Sequence, residues 1–492
     1  MSSPNDLYSA AQVRALDAYA IAQGTDGYTL MRRAAEAALR AMRSRWPTAM
    51  RITVVAGGGN NGGDGYVLAR FAQAAGLAVE VLAAVPPETL HGDAKRAWEE
   101  FRASDGRIHA FDATLLAGTE LIVDALLGTG LREPVRTALA RAIEAINACG
   151  RPVFALDLPS GLNADSGAVM GTAVRADCTI SFVALKTGLF LGAGPELVGR
   201  LIFDDLEVSA PAEARFQPLL TRLVESEIAR ALPRRSREAN KGDFGRIVLV
   251  GGGPGMPGAV RLAGESCLRV GAGLVTVATA VDNLNAVVAG RPELIVHGVR
   301  DAEELAALLE PADVVAVGPG LGQSDWARSM FECVFACGKP LIVDADALNL
   351  LARSGRPAPA GSVLTPHPGE AGRLLGSNAS AIQADRLAAL HALQERHAGS
   401  VIVLKGAGTL VGAHGRIPAL CERGNAAMAA PGMGDVLTGA IAGILGQCGD
   451  AWRAACAGVL AHALAGDDLA RERSRGILAL ELAEALNRRV NL

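Results

Sequence analysis

Aromatic side chains make up only 4% of this 492-residue sequence, and basic residues do not outnumber acidic ones. Forty-seven Lys and Arg stand against 51 Asp and Glu, a formal charge of −4. Nucleic-acid binding needs the reverse, a basic stripe interleaved with rings for stacking, so the chain has no electrostatic footprint for DNA, RNA or an anionic membrane. Its eight cysteines include no C-x-x-C pair, which points to a reducing, cytoplasmic compartment rather than a thiolate metal site. Cys333 and Cys337, four apart, read as two buried positions on one helix face. Between Met1 and Ala10 there is no apolar run behind basic residues, hence no apparent secretory signal. The longest uncharged apolar stretch, Val436 to Gly449, is bounded by Asp435 and Asp450 and is too short to span a bilayer.

What is plentiful is glycine, 58 residues, within a chain that is 50% hydrophobic and long enough for two or more cores. Short β-branched runs ending in Gly or Asp recur between Ala/Leu/Arg-rich segments of helical period. In the first half they are Arg51–Ala56, Leu121–Ala125 and Val153–Asp157; in the second, Arg246–Val250, Leu274–Thr279, Val314–Val317, Leu341–Asp344 and Val401–Leu404. Continuous apolar strands alternating with helices predict α/β architecture, with parallel sheets covered on both faces and ligands at the strands' carboxyl ends. The polar segment from Ala210 to Gly242 carries three prolines and separates the halves. The expected domains are therefore 1–218 and 219–492.

Each strand end of the first half carries oxygen-bearing side chains among glycines. After Arg51–Ala56 come Gly57 to Gly65, with Asn60, Asn61 and Asp64 in a predicted loop and a helix expected over Tyr66–Ala75. Gly57, Gly59 and Gly62 satisfy G-x-G-x-x-G, with Glu80 near a ribose acid's place, so a dehydrogenase fingerprint competes; Gly253, Gly255 and Gly258 satisfy the same pattern, which lowers its worth. Asp124 opens a second glycine loop running to Pro134. Asp157 and Ser160 share the Pro/Gly turn Asp157 to Gly161. If the three strands are neighbours, Asn61, Asp124 and Ser160 converge as hard oxygen ligands.

In the second half, Val317 to Gly322, Asp344 to Asp346, Thr365 to Glu370, Lys405 to Thr409 and Gly424-Asn425 lie at successive strand ends. The series closes on Gly432-Met433-Gly434-Asp435, a glycine turn opening an apolar helix. A helix start holds anions, and an aspartate there can act as base toward a hydroxyl being phosphorylated; the plainer reading is an N-capping Asp.

Two resemblances now become specific. GGGNNGGDGYVLAR, DALLGTGLREPV and LDLPSGLNADSGAVMGTAVRAD resemble the epimerase domain of the NAD(P)H-hydrate repair enzymes, through Lys186-Thr-Gly to about residue 205; Met31 to Ala35 reads MRRAA where that family usually has M-E-N/R-A-G. The ordered motifs of residues 225–490 resemble the same system's ribokinase-like, ADP-dependent dehydratase. The resemblance implies two doubly wound domains, a Rossmann-like three-layer sandwich and a ribokinase-like domain. It implies that Asn60, Asn61, Gly62, Gly63, Asp64 and Gly128, Thr129, Gly130, Leu131, Arg132, Glu133, Pro134 contact the hydrated dinucleotide, that Asn61, Asp124 and Ser160 hold potassium, and that Asp157 binds substrate and does acid/base work. In the second domain it implies Ala259, Gly320 and His367 at the hydrated nucleotide, Lys405, Gly406, Ala407, Gly408, Thr409 and Gly434 at the adenine nucleotide, and Asp435 as base. Magnesium is expected with ADP, Asp344, Asp346 and Glu370 being its candidate ligands. NADHX and NADPHX (the two hydrates) and ADP/AMP are the expected partners, in a homo-oligomer. An ATP-dependent small-molecule kinase and a non-catalytic first half are the competing readings.

Overall fold

The computed structural model describes residues 4–208, 211 and 216–491. Met1–Ser3 and, from the segment expected to separate the halves, Ala210 and residues 212–215 lie outside the described residues. The chain packs as two compact units, Met1–Thr221 and Arg222–Leu492. The expected linker is structured in part, holding a strand at Leu220–Arg222 and a helix at Ser226–Ala231.

The first unit is built on β1 (Arg51–Ala56), β2 (Ala78–Ala83), β3 (Arg107–Ala110), β4 (Leu121–Ala125), β5 (Val153–Leu156), β6 (Cys178–Phe182) and β7 (Arg200–Asp204). They form a 7-stranded sheet ordered β3-β2-β1-β4-β5-β6-β7, parallel throughout. Alternate residues bury against opposite layers: Val54 and Val123 join one apolar cluster, Val55 and Ile122 the other. Two-sided burial explains why these strands read as unbroken apolar runs. The strand order reverses between β1 and β4, and such a switch point leaves a crevice at the carboxyl ends, where a ligand fits.

The second unit's sheet comprises β8 (Arg246–Val250), β9 (Leu274–Thr279), β10 (Ile295–Gly298), β11 (Val314–Val317), β12 (Leu341–Val343), β13 (Val363–Leu364), β14 (Val401–Leu404), β15 (Thr409–Ala413) and β16 (Ala419–Cys421). Their order is β10-β9-β8-β11-β12-β13-β14-β15-β16, parallel up to β14 and antiparallel beyond. Every second-half motif up to Lys405 follows the carboxyl end of a parallel strand.

Three local expectations change. The first-half helix begins at Asn60, not Tyr66, spanning Asn60–Ala74 with Gly59 as N-cap. Asp157 and Asp344 fall just outside their strands: Asp157 has φ +67°, and Asp344 caps the helix Ala345–Ser354. Cys337 is the C-cap of the helix Asp325–Ala336, and both it and Cys333 are only half-buried.

Candidate active sites

At the first unit's switch point lies a cavity of about 800 Å³, lined by Asn60, Asn61, Asp64, the whole run Gly128–Pro134, and Asp157. Gly62 and Gly63, expected to touch substrate, do not line it. They face inward because the helix starting at Asn60 packs too closely for side chains: a Cβ on Gly62 would lie 2.2 Å from the Gly57 carbonyl oxygen, and one on Gly63 2.6 Å from Met31.

Asp157 sits at the centre of a strained corner. Its positive φ and the Leu158 N–H bonded to the Leu156 carbonyl at 2.8 Å make a γ-turn of the rare hand. On neighbouring β6, Val183 has φ +65° and the Ala184 N–H bonds the Phe182 carbonyl at 2.7 Å, a second such turn. A β-branched residue there is a true outlier, and strain of this kind gathers at functional sites. Between the turns lies the buried Lys186 ammonium, which ion-pairs with Asp157 and donates to Ser181 Oγ at 3.1 Å and the Phe182 carbonyl at 2.9 Å. Arg14 and Asp17, from the helix Ala10–Ala22, complete the polar wall. Burial raises the Asp17 carboxyl to about 6. Asp64 rises well above the carboxylate range, first through burial and then through Asp157 and Asp17. The cavity thus offers a proton donor in Asp64 and an ion-paired carboxylate in Asp157, the division of labour that acid/base chemistry uses.

Asp124 and Ser160 bond each other just behind this cavity, and Asn61, which lines it, is linked to them through Leu127. Ser160 Oγ donates to Asp124 Oδ1 at 2.6 Å, Ser160 N–H to Oδ2 at 2.8 Å, and Asn61 Nδ2 to the Leu127 carbonyl at 2.9 Å. Burial raises the Asp124 carboxyl to about 6 despite those bonds. Asn61 Oδ1 is buried with no partner among the described residues.

In the second unit the helix Met433–Cys448 starts from Gly432, whose φ of +87° makes it the N-cap. Asp435 therefore does not cap. It is in the first turn and makes no hydrogen bond or ion pair among the described residues. Burial, reinforced by Asp344, raises it to about 7. Beneath the turn, Asp344 is fully engaged, accepting from Lys405 Nζ, Thr365 Oγ1 and Thr438 Oγ1, each at 2.7 Å. Burial would raise Asp344, but Lys405 and these hydroxyls hold it below the usual range. A Cβ on Gly434 would lie 3.3 Å from Lys405 Nζ, so this glycine lets the turn approach the ammonium. Lys405 is no solvated strand end: its side chain is 17% exposed.

Glu370 lies 3.9 Å from Lys405 Nζ and 3.3 Å from His367 Nε2. His367 caps the helix Pro368–Leu375, its Nδ1 accepting from the Gly369 N–H at 3.0 Å, and its ring is half-exposed. Ala259 and Gly320 pair at the β8/β11 switch point, where a Gly320 Cβ would stand 3.1 Å from that of Ala259. Thr409 opens β15 and bonds the Gly406 carbonyl at 2.9 Å. The three magnesium candidates do not form a cage. Asp346 turns to the Gly322 N–H at 2.8 Å, and among the described residues no three His, Cys, Asp or Glu side chains make a metal-holding group.

Sequence reasoning gave no role to Lys186, Arg14, Asp17, Thr438 or Arg386. Lys186 lies where the epimerase-like motifs end, with nothing local to mark it; the others are brought to their places by folding alone.

A family model described as NAD(P)H-hydrate dehydratase matches residues 247–488, and one described as YjeF-related protein N-terminus matches 27–188. The chain is 46% identical to the bifunctional NAD(P)H-hydrate repair enzyme of Coxiella burnetii, over 99% of both chains. It is 45% identical to that of Escherichia coli K12, over 94% of this chain and 90% of the other. Among solved structures, an ADP/ATP-dependent NAD(P)H-hydrate dehydratase from Bacillus subtilis, co-crystallised with ATP and Mg²⁺, aligns with a TM-score of 0.50 at 31% identity, covering 54% of this chain and 96% of its own. A ribokinase-like protein from Enterococcus faecalis aligns with a TM-score of 0.52 at 33% identity, covering 55% and 95%.

Proposed function

Because the chain belongs to the bifunctional NAD(P)H-hydrate repair enzymes, we propose which of its residues carry each half of that repair. Water adds to the nicotinamide ring of NADH and NADPH without stereochemical preference, whereas the dehydratase takes the S hydrate. One half epimerises the R and S hydrates and the other dehydrates the S form with ADP, giving AMP and phosphate.

In the dehydratase, Asp435 takes the proton of the ring hydroxyl as its oxygen attacks the terminal phosphorus of ADP, and AMP departs. The ring C–O bond then breaks, with phosphate as a far better leaving group than hydroxide, the adjacent ring carbon gives up a proton to solvent, and the dihydropyridine is restored. The N–H groups of the helix start and the Lys405 ammonium stabilise charge on the transferring group. Gly406, Ala407, Gly408 and Thr409 receive the adenine nucleotide with Gly434; Ala259, Gly320 and His367 receive the hydrate. Magnesium would enter with the nucleotide, in keeping with its reluctance to enter all-protein cages. One observation carries this reading: a partnerless, half-buried carboxylate at the head of a buried helix, beside a lysine anchored by Asp344. Hydrated NADH incubated with ADP should regain near-ultraviolet absorbance in step with AMP release. No recovery with ADP, or product retaining phosphate after reaction with ATP, would favour a simple kinase instead.

In the epimerase, Asp157 does the acid/base work at the hydrated ring carbon, oriented by Lys186, with Asp64 as the neutral acid across the cavity. Asn61, Asp124 and Ser160 suit potassium: one carboxylate, neutral oxygens, and a buried amide oxygen in need of a partner. Bound there, the ion would supply charge compensation for Asp124 and fix the loop that begins at Leu126. The cysteines are all free thiols, which supports a cytoplasmic setting, and no described helix is long and apolar enough to cross a membrane. Homo-oligomerisation remains part of the reading and is checked by light scattering.

A further inference from the structure

Arg386 has surroundings that folding alone does not favour. It is 5% exposed, and among the described residues no carboxylate lies within ion-pairing distance. It stands in the first turn of the helix Arg386–Arg396, where the helix dipole disfavours a cation. Burying a charge without a counter-ion is costly, and burial lowers this guanidinium to about 10.

Its bonds run almost wholly to one loop. Nη2 donates to the carbonyls of Leu404 at 3.0 Å and Gly408 at 3.1 Å, and Nη1 to that of Lys405 at 3.3 Å and to Gln383 Oε1 at 2.8 Å. Gly406 arches over the guanidinium with φ +139°, and a Cβ there would lie 2.9 Å from Nη1. The glycine is thus required both by its backbone angle and by the arginine below it. A planar fork reaching carbonyls on both sides of that arch fixes the loop in a way a single ammonium does not.

We propose that Arg386 is a positioning residue for the nucleotide: it sets the Lys405–Gly408 arch and gives that loop a positive charge whose missing partner is the phosphate chain of ADP. This rests on the assignment of that loop to ADP.

The test uses the full-length protein, with ADP and magnesium as titrant in calorimetry and S hydrate in turnover. Arg386→Met should weaken ADP binding and raise its KM by roughly 10–100-fold, while kcat at saturating ADP stays within a few-fold. Arg386→Lys keeps the charge but not the fork, and should fall between. Epimerase activity, in the other unit, should be unchanged, and the retained kcat at saturating ADP reports intact folding of this one. Unaltered ADP affinity in the Met variant, or in the Lys variant where the Met variant does not fold, overturns the proposal. So does a loss confined to kcat. Absence of ADP binding by the unmodified protein would instead overturn the assignment of the loop.

Discussion

Above pH 7 the carboxyl of Asp435 must ionise in surroundings that favour the neutral acid, because burial raises it to about 7. A base works only when ionised, so dehydratase turnover should rise with pH through about 7 and then level off. Asp435→Asn should lose on the order of 10²–10⁴ in turnover with ADP affinity kept. The same residue should reduce stability. Its folded-state pKa lies above its unfolded value, so folding favours the proton, and stability is lost as pH rises from the ordinary aspartate range through about 7. Asparagine cannot ionise, so the variant should melt higher than the parent at pH ~8, by on the order of 1–4 kcal/mol, with the difference vanishing near pH 4. Equal melting curves at both pH values would mean Asp435 is not buried as described. In the other unit, Asp124→Ala should abolish potassium-dependent epimerisation and leave dehydration of pure S hydrate intact. Full epimerase activity in that variant, or in potassium-free buffer, rules the ion site out.

Two helices set the dehydratase geometry, Pro257–Arg269 carrying Ala259 and Met433–Cys448 carrying Asp435. They meet backbone to backbone: a Cβ on Gly439 would stand 2.0 Å from the Ala263 carbonyl oxygen, and Ser266 Oγ donates to the Val436 carbonyl at 2.6 Å. Gly439→Ala removes a flexible residue from a helix interior, which alone is favourable. Here the methyl meets backbone that cannot turn aside, so destabilisation of roughly 1–3 kcal/mol should win. Denaturant midpoints check this, and the KM for S hydrate should rise as Ala259 and Asp435 move apart. An Ala variant as stable as the parent would show that the helices part at little expense.

The seven-stranded parallel sheet lies wholly in the first unit, the parallel series β8–β14 wholly in the second, and each unit has its own apolar clusters, which is the physical condition for folding alone. A chain ending at Thr221 and one beginning at Arg222 should each be soluble and each keep one activity, epimerase and dehydratase respectively. Precipitation of both, or loss of both activities, would mean that the units depend on each other for folding.

The sequence by itself determined the architecture, because strands buried on two faces must be apolar without interruption. Arg51–Ala56, Leu121–Ala125, Arg246–Val250 and Val401–Leu404 therefore carry their own boundaries. It also marked loops that line the first unit's cavity, since strand ends rich in Gly, Asn and Asp have few structural uses. Tertiary structure alone decided what each loop residue does. Gly62 and Gly63 turned out to be packing residues because the helix begins six residues early and lies against Gly57 and Met31. Asp344 lost its place as a metal candidate to Lys405, sixty-one residues away. Lys186 gained a role only through the corner formed by β5 and β6, and Arg386 only through an arch formed after β14. Partnership between distant side chains depends on which strands are neighbours, and local sequence does not encode adjacency.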